Sequence, residues 1–171
     1  AKLSAWSTPM RLNDTTRVYF ERLAGISSPE EADRYRNVAN PEMTSAIQEY
    51  FAVNEPRHHS MLRTSISPNI IKGGYQVNVI PSEAEATLDV RALPDENLEN
   101  LLAEIRKVIN DPAVTVSKSQ RNTRPAARPS RIDSEAFRVL EAAVKQHYST
   151  VTLPTMSTGA TENSVKYASA A

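Results

Sequence analysis

The chain has 171 residues, with twenty basic and twenty acidic side chains, a formal net charge of zero, 40% hydrophobic residues and no cysteine. That balance excludes a global field that would attract nucleic acid or an anionic membrane surface, and the missing cysteines exclude disulfides and thiolate metal sites. The length suffices for one domain with a core, or for one domain and part of another. No apolar run approaches the roughly 20 residues that span a bilayer, and residues 1–10 lack the apolar centre of a signal peptide.

Residues 1–12 carry the single tryptophan, Trp6, and no clean period; they read as a docking segment or as the worn end of a missing element. A helix is expected over 14–24, with Asp14 as N-cap, Val18, Tyr19 and Leu23 on its apolar side and Gly25 at its end. Ser28-Pro29-Glu30-Glu31 has capping-box spacing with proline at the first helical position, and that helix should run to about Asn40. Pro41 opens another, with Met43, Ile47, Tyr50 and Phe51 at helical spacing. Residues 13–54 thus form a helical insert. A strand is expected over 61–71, where Pro68 implies an edge or a bulge. Gly73-Gly74 then make the turn into a long strand. In it Ala84, Ala86, Leu88 and Val90 alternate with Glu83, Glu85, Thr87, Asp89 and Arg91, the pattern of an antiparallel strand buried on one side.

From Leu98 to Ile109 the period becomes helical, closing at Asn110-Asp111-Pro112, and Ala113–Ser117 reads as a further strand. Strand, strand, helix, strand implies an α+β fold: most of a ferredoxin-like two-layer sandwich, with an antiparallel sheet and helices on one face. Residues 118–131 hold five basic residues and two prolines without a period, which marks a boundary. After it, Ile132 and Phe137 form a hydrophobic staple around Asp133, and Phe137, Leu140, Val144 and Tyr148 continue a helix. Val151–Leu153 reads as a short strand entering the loop PTMSTGATEN. The expected divisions are one unit over 1–120, a linker over 121–131 and a second, partial α/β unit over 132–171.

The run G-G, then N-V-I-P, then an alternating strand ending D-x-R resembles the dimerisation (lid) domain of the zinc exopeptidases and deacylases that include carboxypeptidase G, aminoacylase, acetylornithine deacetylase and succinyl-diaminopimelate desuccinylase. Pro154–Thr161 is similar to the T-G-A-T-D loop of their catalytic domain, with Glu162 where the family has Asp. The resemblance implies a fragment of a zinc-dependent amide hydrolase acting on a small peptide or acyl-amino acid and forming a homodimer through the lid. It implies that Arg91 binds a substrate carboxylate, that Asn78 reaches substrate from the dimer partner, and that Thr158, Gly159, Ala160 and Thr161 approach an anionic substrate group. The family's metal ligands and catalytic residues match nothing in this chain. Zinc is therefore expected in the full-length enzyme, and neither metal nor activity in the fragment alone.

The residues admit plainer readings as well. Arg91 suits a carboxylate through its planar fork, or a cross-strand acid. Asn78 suits a turn that satisfies local backbone, and the Ser/Thr/Gly loop suits a helix cap. Thirteen residues of strand between Asn78 and Arg91 would span roughly 40 Å, so one subunit could not present both to one small substrate. His58 and His59 point apart, with no acid at ligand-like spacing, and His147 lies on an amphipathic helix. A catalytically silent dimerisation module is the alternative function. An RNA-binding sheet is disfavoured because Ala84–Leu93 lacks aromatic stacking residues.

Overall fold

The computed structural model describes residues 2–119 and 130–155. Its elements in chain order are α1 (Lys2–Ala5), α2 (Asp14–Ala24), α3 (Pro29–Arg36), α4 (Thr44–Asn54), α5 (Pro56–Met61), β1 (Ser65–Gly73), β2 (Ala84–Arg91), α6 (Leu98–Ile109) and α7 (Glu135–His147). The fold is α+β: helices with one small antiparallel sheet of two strands.

Local chemistry sets the helix ends. Asn13, not Asp14, caps α2, because its side chain accepts from the Thr16 amide while the Thr16 hydroxyl accepts from the Asn13 amide; Asp14 is the first helical residue, where its charge suits the helix dipole. Ser28 and Glu31 make the expected capping box of α3 with Pro29 inside it. That helix stops at Arg36, four residues early, since the Asn37 side chain turns back onto the Asp33 carbonyl and competes with the next turn. Pro41 lies in a turn, and α4 begins at Thr44. Ser134 rather than Asp133 caps α7, because Asp133 is engaged by Arg131.

The principal core lies in the helical insert and the α5 segment that follows it. Tyr19, Phe20 and Ala24 of α2, Ala32 and Tyr35 of α3, Val38 between α3 and α4, Ile47 and Phe51 of α4, Met61 of α5 and Leu62 are buried together, with Leu12, Leu23 and Leu153 packed against them. Phe20 stacks on Phe51 with ring centroids 5.9 Å apart and planes 14° apart. Leu93, Leu101 and Ile105 are buried outside that cluster. The chain thus folds about what reads in sequence as an elaboration.

The strands form an exposed ribbon. β1 and β2 pair from Ser65 opposite Arg91 to Gly73 opposite Ala84, with a register shift between Pro68 and Ile70. That shift is the bulge implied by Pro68, which has no N–H to give the ladder. It moves Ile71 opposite Ala86, onto the face of Leu88 and Val90, and leaves Ile70 opposite Thr87. The apolar face is not buried as expected: Ala84 and Ala86 are exposed, and Leu88 and Val90 are half-buried. Gly73-Gly74 is not a tight turn; Gly73 ends the ladder, Gly74 takes a left-handed φ of 74°, and residues 74–83 form the loop between the strands. Ala113–Ser117 and Val151–Leu153 are irregular and pair with nothing in the sheet. The strand expected to start at 61 starts at 65, because Pro56 nucleates α5 in the preceding stretch.

Candidate substrate-binding site

The base of the ribbon is fastened to the helices. Thr64, 1% exposed, donates its hydroxyl to Glu96 and accepts from the Leu93 amide (3.2 Å), while its carbonyl accepts from the Thr8 hydroxyl. Arg11 reaches Asp95 (3.3 Å) and Glu96 (3.1 Å) from the same side. These bonds fix the first residue of β1 and the last of β2, and therefore the backbone of Arg91.

Arg91 projects from this end with its side chain 60% exposed. Its Nε donates to Asp89 Oδ2 at 3.0 Å, so the acid it meets is two residues earlier on its own strand rather than across it. Nη1 and Nη2 have no partner among the described residues, which leaves the planar end of the guanidinium open to a carboxylate. Asn78 lies exposed in a turn at the other end of the ribbon, where the Val79 amide meets the Gln76 carbonyl at 3.4 Å. Between the two stands the eight-residue strand β2 and not thirteen residues of strand. Its length is still roughly 23 Å, more than one small substrate reaches.

Thr158, Gly159, Ala160 and Thr161 lie outside the described residues. The segment leading towards them is described: Leu153 packs on the core, Pro154 is buried, and Arg22 Nη1 donates to the Thr152 carbonyl (2.7 Å) and to Glu141 of α7 (2.5 Å). Nothing in the sequence pattern points to Arg22, whose partners are more than a hundred residues away.

His58 and His59 face different surroundings. The His58 ring sits among Tyr19, Phe20, Tyr35 and Phe51, with Nδ1 bonded to Glu55 and Nε2 3.0 Å from the Tyr19 hydroxyl. Glu55 also accepts from Tyr35 (3.0 Å) and Arg34 (3.4 Å). So an acid does stand near this histidine, three residues before it, and the i, i+3 spacing on a helix start is the signal that could have found it. Burial first, and then the bond to Glu55, pushes the Tyr35 phenol far above its usual range. Burial and then the Arg63 cation lower the pKa of His59, whose Nε2 accepts from Arg63. Among the described residues no group of three or more His, Asp or Glu side chains converges to hold a metal ion, and both nitrogens of His58 are already engaged. No helix among the described residues is long and apolar enough to cross a membrane.

Comparison with known proteins gives this geometry a setting. The chain is 31% identical over 94 residues to the probable carboxypeptidase S-like 2 of Dictyostelium discoideum, a match covering 55% of the chain and 18% of that protein. It is 24% identical over 128 residues to the human N-fatty-acyl-amino acid synthase/hydrolase PM20D1, covering 74% of the chain and 26% of that protein. The chain therefore spans about a fifth to a quarter of the length of these relatives. No solved structure matches it. The family model described as the peptidase dimerisation domain matches residues 28–117, which include the helices α3 to α6, the whole ribbon, Asn78 and Arg91. The chain belongs to the M20 peptidases, the family of zinc metallo-exopeptidases and deacylases that carries this dimerisation domain.

Proposed function

We propose that the full-length protein is a zinc-dependent amide hydrolase of the carboxypeptidase or N-acyl-amino-acid deacylase type, in which residues 1–120 form a ferredoxin-like lid, 121–131 a linker and 132–171 the start of a catalytic-domain segment. The lid joins two copies into a homodimer and binds the carboxylate of a small peptide or acyl-amino acid. The observation that supports this reading is Arg91: a guanidinium whose two terminal nitrogens have no partner among the described residues, at a strand end whose backbone is fastened on both sides. Both relatives have names that describe hydrolysis of such molecules, a carboxypeptidase and an acyl-amino acid hydrolase. The described residues do not make a zinc site, so no bond-breaking step is assigned to them. Their part is to bind and orient. Arg91 supplies a bidentate cation, Asn78 on the ribbon tip reaches the site of the other protomer, and Thr158–Thr161 offer backbone N–H groups to an anionic group.

The test is kinetic, in the full-length enzyme. Arg91→Ala removes charged hydrogen bonds worth about 1.5 to 3 kcal/mol, a loss of about ten- to a hundredfold in kcat/KM. Arg91→Lys restores little, because a point charge does not reproduce the fork. Unchanged kcat/KM in Arg91→Ala would remove the carboxylate role.

A further inference from the structure

Among the described residues Arg63 is a cation without a counter-charge. Arg11, Arg22 and Arg34, the other arginines tied into the helical core and the ribbon base, each meet at least one carboxylate: Asp95 and Glu96, Glu141, and Glu30 and Glu55. Arg63 meets none among the described residues. Its Nη1 donates to the Ser7 hydroxyl (3.3 Å) and to His59 Nε2 (3.0 Å), and its Nε is sealed from water with no partner among the described residues. Nη2 makes no hydrogen bond there either. The sequence explains the imbalance. Residues 1–13 and 56–82 contain no Asp or Glu, and Arg63 and Ser7 lie where these two acid-free segments touch, beside the contacts of Thr8 with Thr64 and of Arg11 with Leu62. Glu96 binds the neighbouring Thr64, but it is already held by Thr64 and Arg11.

A half-buried guanidinium with two neutral partners leaves an uncompensated field, and taking a charge out of water is costly unless it is paired. Burial lowers the pKa of Arg63 itself, and burial and Arg63 together lower that of His59. The His59 ring accepts at Nε2 and so carries its proton at Nδ1, which is the tautomer a cation beside it selects.

We propose that Arg63, Ser7 and His59 form a binding site for a small oxyanion, a carboxylate or a phosphate, where residues 1–13 meet α5. An oxygen arriving at Nη2 completes the charge pairing, and a small shift of the side chain lets a second oxygen of the same group reach Nε, the bidentate geometry for which arginine is suited. The Ser7 hydroxyl, now an acceptor from Nη1, can turn and donate to the anion. His59 is the reporter. An anion on Arg63 cancels the field on the imidazole, so His59 takes up a proton more readily when the site is filled.

The experiment follows the His59 ring by NMR through a pH titration of the 171-residue chain in chloride, acetate and inorganic phosphate at matched ionic strength. The expected result is a saturable rise in the His59 pKa with phosphate, acetate or both, and none with chloride. Arg63→Gln should weaken the response at least tenfold, and Ser7→Ala by several-fold. A response to phosphate alone identifies a phosphate site; a response to acetate identifies a carboxylate site. If His59 responds to neither anion, or responds equally in Arg63→Gln, the proposal is overturned. Circular dichroism shows whether Arg63→Gln is folded. Should it not fold, the unsubstituted chain and Ser7→Ala decide: a saturable response weakened by Ser7→Ala upholds the site, and one that Ser7→Ala leaves unchanged overturns it. Because the readout is a ring proton rather than turnover, the outcome is independent of the substrate role given to Arg91.

Discussion

Replacing Phe51 by Ala removes a ring that is 0% exposed, stacked on Phe20 at 5.9 Å and in contact with Tyr35 at 6.2 Å and His58 at 5.6 Å. Deleting a buried phenylalanine side chain costs about 3 to 5 kcal/mol through lost transfer energy and the cavity left behind. The surrounding rings belong to three helices and cannot all close on the gap, which places the cost towards the upper end. Against a domain stability of about 5 to 15 kcal/mol this is a large fraction. At an m-value of about 2 kcal/mol per molar urea, the unfolding midpoint falls by about 2 M. Ile71→Ala on the ribbon is the control. Ile71 is 77% exposed and should change stability by no more than about 0.5 kcal/mol. Urea unfolding of the 171-residue chain, followed by circular dichroism, measures both. If Ile71→Ala costs as much as Phe51→Ala, or if Phe51→Ala costs less than about 1 kcal/mol, the helical cluster is not the core that carries this fold.

Three further outcomes are expected. Arg22→Met should speed amide hydrogen exchange in residues 149–155, because it removes the bonds to the Thr152 carbonyl and to Glu141; unchanged exchange would mean that Leu153 and Pro154 hold the segment alone. The folded-state pKa of Tyr35 is raised, so its contribution is complete below the ordinary phenol value of about 10 and is lost as the pH rises beyond it. Tyr35→Phe should flatten that alkaline fall in denaturant midpoint, and an equally steep fall in the variant would contradict the assignment. The folded-state pKa of His59 is depressed, so its contribution is present above about 6.5 and is lost as the pH falls below that value. A His59→Gln variant whose stability falls as steeply as that of the unsubstituted chain between pH values of about 7 and 5 would show that another group is responsible.

The parts of the fold legible in the sequence are those governed by neighbours in the chain. The capping box of Ser28 and Glu31, the bulge at Pro68 and the amphipathic α6 closed by a left-handed Asn110 all follow from local chemistry. The alternation over 84–91 correctly announced a strand, but it could not say how much would cover it. Period identifies a face, whereas burial depends on what else packs there, and here the apolar face of β2 is largely open. The same limit hid the core. Tyr19, Phe20, Tyr35 and Phe51 come from three helices and meet only through tertiary packing, so no window of sequence displays the cluster. The Gly73-Gly74 pair suggested a tight hairpin because glycine permits one, yet ladder pairing ends at Gly73 and resumes only at Ala84. Of the candidate site residues, Arg91 was placed at a strand end by alternation alone. Arg63 and Arg22 were not, since what distinguishes each is a partner contributed, or withheld, by distant segments.

The claim that joins these observations is that Arg91 and Asn78, at opposite ends of the ribbon, serve one substrate from opposite protomers of a dimer. Its most direct measurement mixes full-length Arg91→Ala subunits with Asn78→Ala subunits and follows hydrolysis of an acyl-amino acid or small peptide. Each mixed dimer then holds one site with both lesions and one with neither. Random pairing makes half of the dimers mixed, so about a quarter of all sites should recover full activity. If subunit exchange is verified and no activity returns above that of either variant alone, the two residues do not share a site across the dimer, and Arg91 is left with its bond to Asp89.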